Sequence, residues 1–114
     1  MEVRRGDIFL VDLNPVVGTE QAGIRPALVI QIDRANVSSP HTIIIPFTTR
    51  IKETVLPSHV KIPSEVGGLA EDLILLCEQI RVIDKRRLVR RTGNNGEENL
   101  RKVDTALKVI LGLD

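Results

Sequence analysis

The chain has 114 residues, a net charge of +1, a single cysteine and two aromatic residues, Phe9 and Phe47. That length fits one domain whose core buries roughly two-thirds of its unfolded surface, and with so few rings the core has to be aliphatic. The lone Cys77 excludes an internal disulfide, the near-neutral charge gives no global signal for nucleic acid, and no apolar run approaches the ~20 residues of a membrane helix.

With no charged-then-apolar leader at its start, the chain reads as a soluble cytoplasmic protein. A basic start and the Gly6-Asp7 turn lead into a first strand over residues 8–13, which Asn14-Pro15 ends. Residues 18–24 form a polar, glycine-bounded loop, and residues 27–32, nearly all aliphatic, read as a strand buried on both faces. Between them lies Arg25, held extended by the following Pro26. A polar connection covers residues 33–40. A third strand spans residues 42–47, with Pro46 pointing to an edge or bulge, and Thr48-Thr49 follow where it frays.

Residues 50–55 read as a charged loop, and residues 58–62 alternate as a half-solvated strand with His59 and Lys61 on one face. Pro63-Ser64-Glu65 starts a turn that Gly67-Gly68 ends. Residues 72–83 are the longest apolar segment and read as one strand, interrupted by Glu78, Gln79 and Arg81. Asp84 caps a turn over residues 85–87, a small strand over 88–91 follows, and residues 92–96 form a loop. Residues 97–113 are the one convincing helix, with Leu100, Val103, Leu107, Ile110 and Leu111 in a core-facing stripe and two acidic residues in the first turn. Five or six strands and one terminal helix give a mainly β fold, a small barrel or strongly bent sheet with the helix over an open end. No linker or repeat divides it, so residues 1–114 are a single domain.

The usual enzyme toolkits are missing. His41 and His59 have no cysteine or carboxylate at ligand spacing, there is no phosphate-binding glycine loop, and no serine sits in a nucleophile elbow. Cys77, inside an apolar run, reads as a small buried hydrophobe rather than a nucleophile. What remains is a set of polar residues at strand ends: Arg25, Thr48, Thr49, Glu78, Gln79 and Arg81, with the loop pair Glu20-Gln21. An ordinary loop arginine in a surface ion pair explains Arg25 as well as a site does. Yet a guanidinium grips phosphate through two N–H groups, and a hydroxyl beside it serves another phosphate oxygen. Together they suit the extra charge of five-coordinate phosphorus. RNA carries its own nucleophile, the 2′-OH, so no metal-activated water is required.

Arg81, Lys85, Arg86, Arg87, Arg90 and Arg91 crowd eleven residues that hold one acid, Asp84. They are either a solvated face or a phosphate-backbone footprint. Base choice would then fall to groups such as Gln79, Glu20 and Thr49 reading splayed bases, because the shortage of aromatics argues against a stacking platform. His59 is either a solvent-facing strand residue or a base contact.

R-R-G-D-I-F-L-V-D-L-N-P-V-V-G-T-E-Q-A-G-I-R-P-A-L-V-I, then I-P-F-T-T, L-P-S-H-V and L-L-C-E-Q-I-R-V-I-D-K-R-R-L, in this order and spacing, resemble the MazF/PemK family of toxin endoribonucleases. The S-H-V before K-I is similar to the bacillus-type branch. The resemblance implies an SH3-like barrel with a C-terminal helix, working as a homodimer. It also implies metal-independent, sequence-specific cleavage of single-stranded RNA by 2′-OH attack, giving 2′,3′-cyclic phosphate and 5′-OH ends, with no cofactor. By resemblance the catalytic pair falls on Arg25 and Thr48. Glu20, Gln21, Glu78, Gln79 and Arg81 would line the RNA path, with Thr49, Leu56, Pro57 and His59 near the bases. The implied partner is a MazE-like antitoxin whose disordered C-terminal segment lies over the groove. An arginine is an awkward general base, so Arg25 is read as a charge stabiliser and the acceptor of the 2′-OH proton is left open. Two other readings compete: a non-catalytic, CcdB-like gyrase-binding toxin, and a plain RNA-binding module using the basic run.

Overall fold

Residues 1–49 and 56–113 are described by the computed structural model, and the loop expected at 50–55 lies outside them. The strands are β1 (Asp7–Asp12), β2 (Ile24–Val29), β3 (His41–Thr48), β4 (His59–Ile62), β5 (Leu73–Leu76), β6 (Arg81–Asp84) and β7 (Leu88–Asn94). Two α-helices join them, α1 (Asp33–Ser38) and α2 (Glu97–Leu111). All pairings are antiparallel, in the order β4-β5-β3-β2-β1-β7, with β6 also on β3. The sheet is not closed. Where β6 nears the end of β1, side chains make the connection instead: Arg81 Nη1 donates to the Leu13 carbonyl at 3.3 Å and Arg87 Nη1 to that of Asp12 at 3.1 Å.

Alternation along the strands gives two aliphatic clusters, one on each face. Ile8, Leu28, Ile45, Phe47 and Leu75 meet Val103 and Ala106 of α2, while Phe9, Val11, Ala27, Val29 and Ile44 fill the other face. Each aromatic ring therefore anchors one cluster, and both are fully buried. No helix among the described residues is long and apolar enough to cross a membrane.

Several expectations need correction. The apolar segment at 72–83 is two strands, β5 and β6, separated by a 3₁₀ turn at Cys77–Gln79. Both halves pair with the same edge of β3, β6 at His41–Ile44 and β5 at Phe47–Thr48, so the chain has to step from one to the other. Pro46 sits at that step, buried and opposite Ala27 rather than at an outer edge, where its missing N–H costs no ladder bond to β5 or β6. The polar connection at 33–40 contains α1, too short for periodicity to reveal. Its buried Asn36 accepts hydrogen bonds from Gln31 and Thr42. β7 continues through Asn94, past its expected end, raising the strand count to seven among the described residues. In α2 the expected stripe is core only in part. Val103 is buried, but Ile110 and Leu111 are exposed, because the helix runs past the sheet it covers.

Gly93 lies against the turn at Val66–Gly68, and a Cβ on it would stand 2.4 Å from the Gly67 carbonyl carbon. Backbone cannot swing aside as a side chain does. Gly93→Ala should therefore destabilise the domain by about 1–3 kcal/mol, the usual cost of overpacking, measured as a lower denaturant midpoint at unchanged m-value.

Candidate active site

The β2–β3 register places the first polar pair. The register ends with Ala27 facing Pro46; carried two residues outward it directs Arg25 toward Thr48, and both side chains line the same two clefts. Arg25 is held from its other side by β1, where its partner is Val11. The two side chains differ in environment. Thr48 is buried at 5% exposure, whereas Arg25 is exposed and donates from Nε to the Ala22 carbonyl at 3.2 Å. That bond fixes the guanidinium by its inner nitrogen and leaves the terminal pair, the two that grip a phosphate.

Three concavities run together around this pair. A central cleft of about 230 Å³ is lined by Thr19, Glu20, Gln21, Arg25, Thr48 and Thr49. Glu20 and Gln21 also line a second cleft of about 190 Å³, with Glu78, Gln79 and Arg81. On the other side Arg25, Thr48 and Thr49 border a third of about 320 Å³, floored by Leu10, Ile24, Pro26, Phe47 and Leu73 and rimmed by Glu71 and Arg90. The result is one groove with Arg25 and Thr48 at its middle.

The wall formed by the loop at 18–23 is pinned at few points. Leu13 N donates to the Gly23 carbonyl at 3.0 Å and Gly23 N to Asn14 Oδ1 at 3.1 Å, closing the base of the loop. Glu20 Oε1 accepts from Val17 N within the loop. Gln79, a candidate base reader from the sequence, has both ends of its amide on this loop: Oε1 accepts from Gln21 N at 2.9 Å, and Nε2 donates to the Thr19 carbonyl at 3.4 Å.

Leu56, Pro57 and His59 are outside the linings of these three clefts. β4 is the outermost strand beyond β5, and among the described residues its hydrogen-bonded link to the groove is Glu78. There, His59 Nε2 lies 2.9 Å from one carboxylate oxygen of Glu78, and Ser58 Oγ donates to the other at 3.1 Å. The basic run also separates. Arg81 and Arg87 bind carbonyls of the β1 end, Arg86 chelates Asp84 and holds its carboxyl below the usual value through that hydrogen bond, and Arg91 pairs with buried Asp7. Of the basic run, Arg81 lines the second cleft and Arg90 reaches the third, across from Leu10 in the β1–β7 register.

The fold and the whole chain have close relatives. Residues 4–111 match the family model of the PemK-like, MazF-like toxins of type II toxin–antitoxin systems. The chain belongs to this family. It is 46% identical over 113 residues to Endoribonuclease EndoA of Bacillus subtilis, covering 99% of this chain and 97% of the relative. It also superposes on MazF from Deinococcus radiodurans with a TM-score of 0.86 at 26% identity, covering 99% of both chains. A MazE–MazF structure from the same organism gives 0.79 at 26% identity, covering 100% of this chain and 99% of that one. The toxin fold, with its open sheet, is thus shared across the whole length.

Sequence reasoning missed Ser58, Glu71 and Arg90 in this family member's groove and its border. Arg90 was visible only as one of six basic residues. The signal that singles it out is strand alternation along β7 combined with its register on β1. Among the described residues no group of three or more His, Cys, Asp or Glu converges as a metal site would need. Cys77 lies under the turn, fully buried, and desolvation pushes its thiol up to about 12. A thiol so buried is inert. Native protein at pH 8 should resist alkylation by iodoacetamide, and the same protein in denaturant should take one label, read by intact mass.

Proposed function

We propose that this toxin is an endoribonuclease that cuts single-stranded RNA at a short sequence by attack of the 2′-OH on the adjacent phosphorus. The observation that carries the reading is that Arg25 and Thr48 together line two adjoining clefts of the groove. Seated there, the scissile phosphate meets the terminal nitrogens of Arg25 and the Thr48 hydroxyl, which stabilise the charge that builds on its non-bridging oxygens. Glu20 is the carboxylate of the central cleft and takes the 2′-OH proton. The P–O5′ bond breaks as the 2′-O–P bond forms, and the departing 5′-oxygen takes a proton from solvent water, leaving a 2′,3′-cyclic phosphate and a 5′-OH. No metal or other cofactor enters these steps.

Base choice falls to the flanks: Glu78 held by Ser58 and His59, Thr49 at the centre, and Gln21 and Arg81 between them. Leu56 and Pro57, exposed beside His59, meet bases that leave the groove past Glu78. Arg90 offers a phosphate contact on the far side. A strand lying in the groove is also what a MazE-like antitoxin would compete with through a disordered C-terminal segment that folds on binding. The solved MazE–MazF structure similar to this chain supports that partner. The working form is a cytoplasmic homodimer, which would cover apolar side chains left exposed here, such as Ile110 and Leu111. A gyrase-blocking role has no use for this groove.

Mixed RNA incubated with the protein in excess EDTA should be cut, and end-mapping should find cyclic phosphate and 5′-OH termini. Cutting abolished by chelation, or 3′-OH products, would refute the mechanism. Arg25→Ala should raise the barrier by about 3–4 kcal/mol, as loss of one oxyanion donor does, with an unchanged unfolding midpoint. Glu20→Gln should lower kcat by about 10²-fold or more, the lower range for removing a general base, again without loss of fold.

A further inference from the structure

We infer that Gln79 is a positioning residue: it latches the loop at 18–23 so that Glu20 and Arg25 face the substrate together. The inference deepens the ribonuclease reading above and rests on it. Its two bonds fall on either side of one residue, at the Thr19 carbonyl and the Gln21 N–H, so they clamp the backbone that carries Glu20. The next residue, Ala22, supplies the carbonyl that holds Arg25 Nε. One amide on the Cys77–Gln79 turn thus fixes, through four consecutive loop residues, both groups assigned to acid–base and charge-stabilising work.

The latch reaches across 58 and 60 positions of sequence, while the other hydrogen bonds of the loop close its base or stay within it. Gln79 is half-buried and belongs to the turn that links β5 and β6, a fixed part of the sheet. The loop is exposed and glycine-bounded, with Gly18 and Gly23 both at positive φ. Rigidity therefore passes from turn to loop. A side chain whose acceptor and donor are both engaged is poorly placed to read a base edge as well, since each new bond to RNA would compete with one to the loop.

The test compares the full-length protein with Gln79→Ala and Gln79→Glu. Glutamate keeps the acceptor for Gln21 N but cannot donate to the Thr19 carbonyl, so it is half a latch. Amide-resolved hydrogen exchange without RNA should show the Gln21 N–H exchanging about tenfold faster or more in Gln79→Ala, as expected for losing two modest hydrogen bonds, with Gln79→Glu in between. On RNA, kcat should fall by about 10–10²-fold in Gln79→Ala and less in Gln79→Glu, KM should move less than kcat, and the mapped cleavage sites should stay the same. Shifted cleavage sites, or a KM effect with kcat intact, would make Gln79 a base reader and overturn the proposal. Unchanged exchange at Gln21 would overturn it as well. If Gln79→Ala fails to fold, as judged by its thermal transition, Gln79→Glu carries the comparison alone. The exchange measurement needs no RNA, so a wrong substrate class and a wrong latch fail separately.

Discussion

One edge of β3 serves two partners, and the site depends on how the chain passes between them. β6 takes the first half of that edge and β5 the last two residues, with Pro46 at the junction. A continuous strand at 72–83 could not satisfy both registers, so the backbone tightens into a 3₁₀ turn at Cys77–Gln79. That turn buries Cys77 and turns Glu78 and Gln79 toward the groove. The other edge of β3, paired with β2 as far as Ala27 and Pro46, directs Arg25 and Thr48 into the same clefts. Both walls of the groove thus derive from hydrogen bonding along one strand.

The sheet stays open between β6 and the end of β1, and arginine side chains span the gap where backbone bonds would close a barrel. Arg81 and Arg87 reach carbonyls of Leu13, Asp12 and Asn14. These carbonyls would otherwise lack ladder partners, and a guanidinium, with five donors on a long stem, satisfies them at a distance no backbone N–H could cover. Most members of the basic run are thus engaged by the protein's own carbonyls and carboxylates, and Arg81 and Arg90 are the two that line the groove.

Much of this was legible in the sequence because burial imposes strong periods. The alternation of β4 and the start of α2 appear where pattern places them, whereas β2 begins at Ile24, three residues before the aliphatic run expected at 27–32, and ends at Val29, leaving Ile32 exposed. What pattern hid was handover and shortness. Leu73 to Ile83 is apolar enough on both sides of the turn to read as one strand, since composition reports burial and not partner. Six-residue α1 is too short to show a period, and its defining feature, Asn36 bridging Gln31 and Thr42, is a tertiary contact. The candidate site was found as a list of polar interruptions, but its division was not visible. Whether Gln79 faces a base or a backbone depends on a loop some 58 positions away. His59, similarly, stands on the outermost strand β4 and meets the groove through Glu78, a contact that pattern could not foretell.

The two central residues are held in unequal ways, and the inequality suits a toxin that must be both precise and controllable. Thr48 is a strand residue in a packed environment, and its place is set by the register of the sheet. Arg25 shares that register through its backbone, but its charged head is set by a loop carbonyl. A long side chain carries several rotatable bonds, so the backbone alone leaves the guanidinium free to wander by ångströms, far more than transition-state stabilisation tolerates. The loop narrows that range at a modest energetic cost. Because loops open at lower free energy than sheets, the same contact is, under the proposed mechanism, the least expensive place for a bound strand, whether substrate or inhibitor, to act on the rate without disturbing the fold.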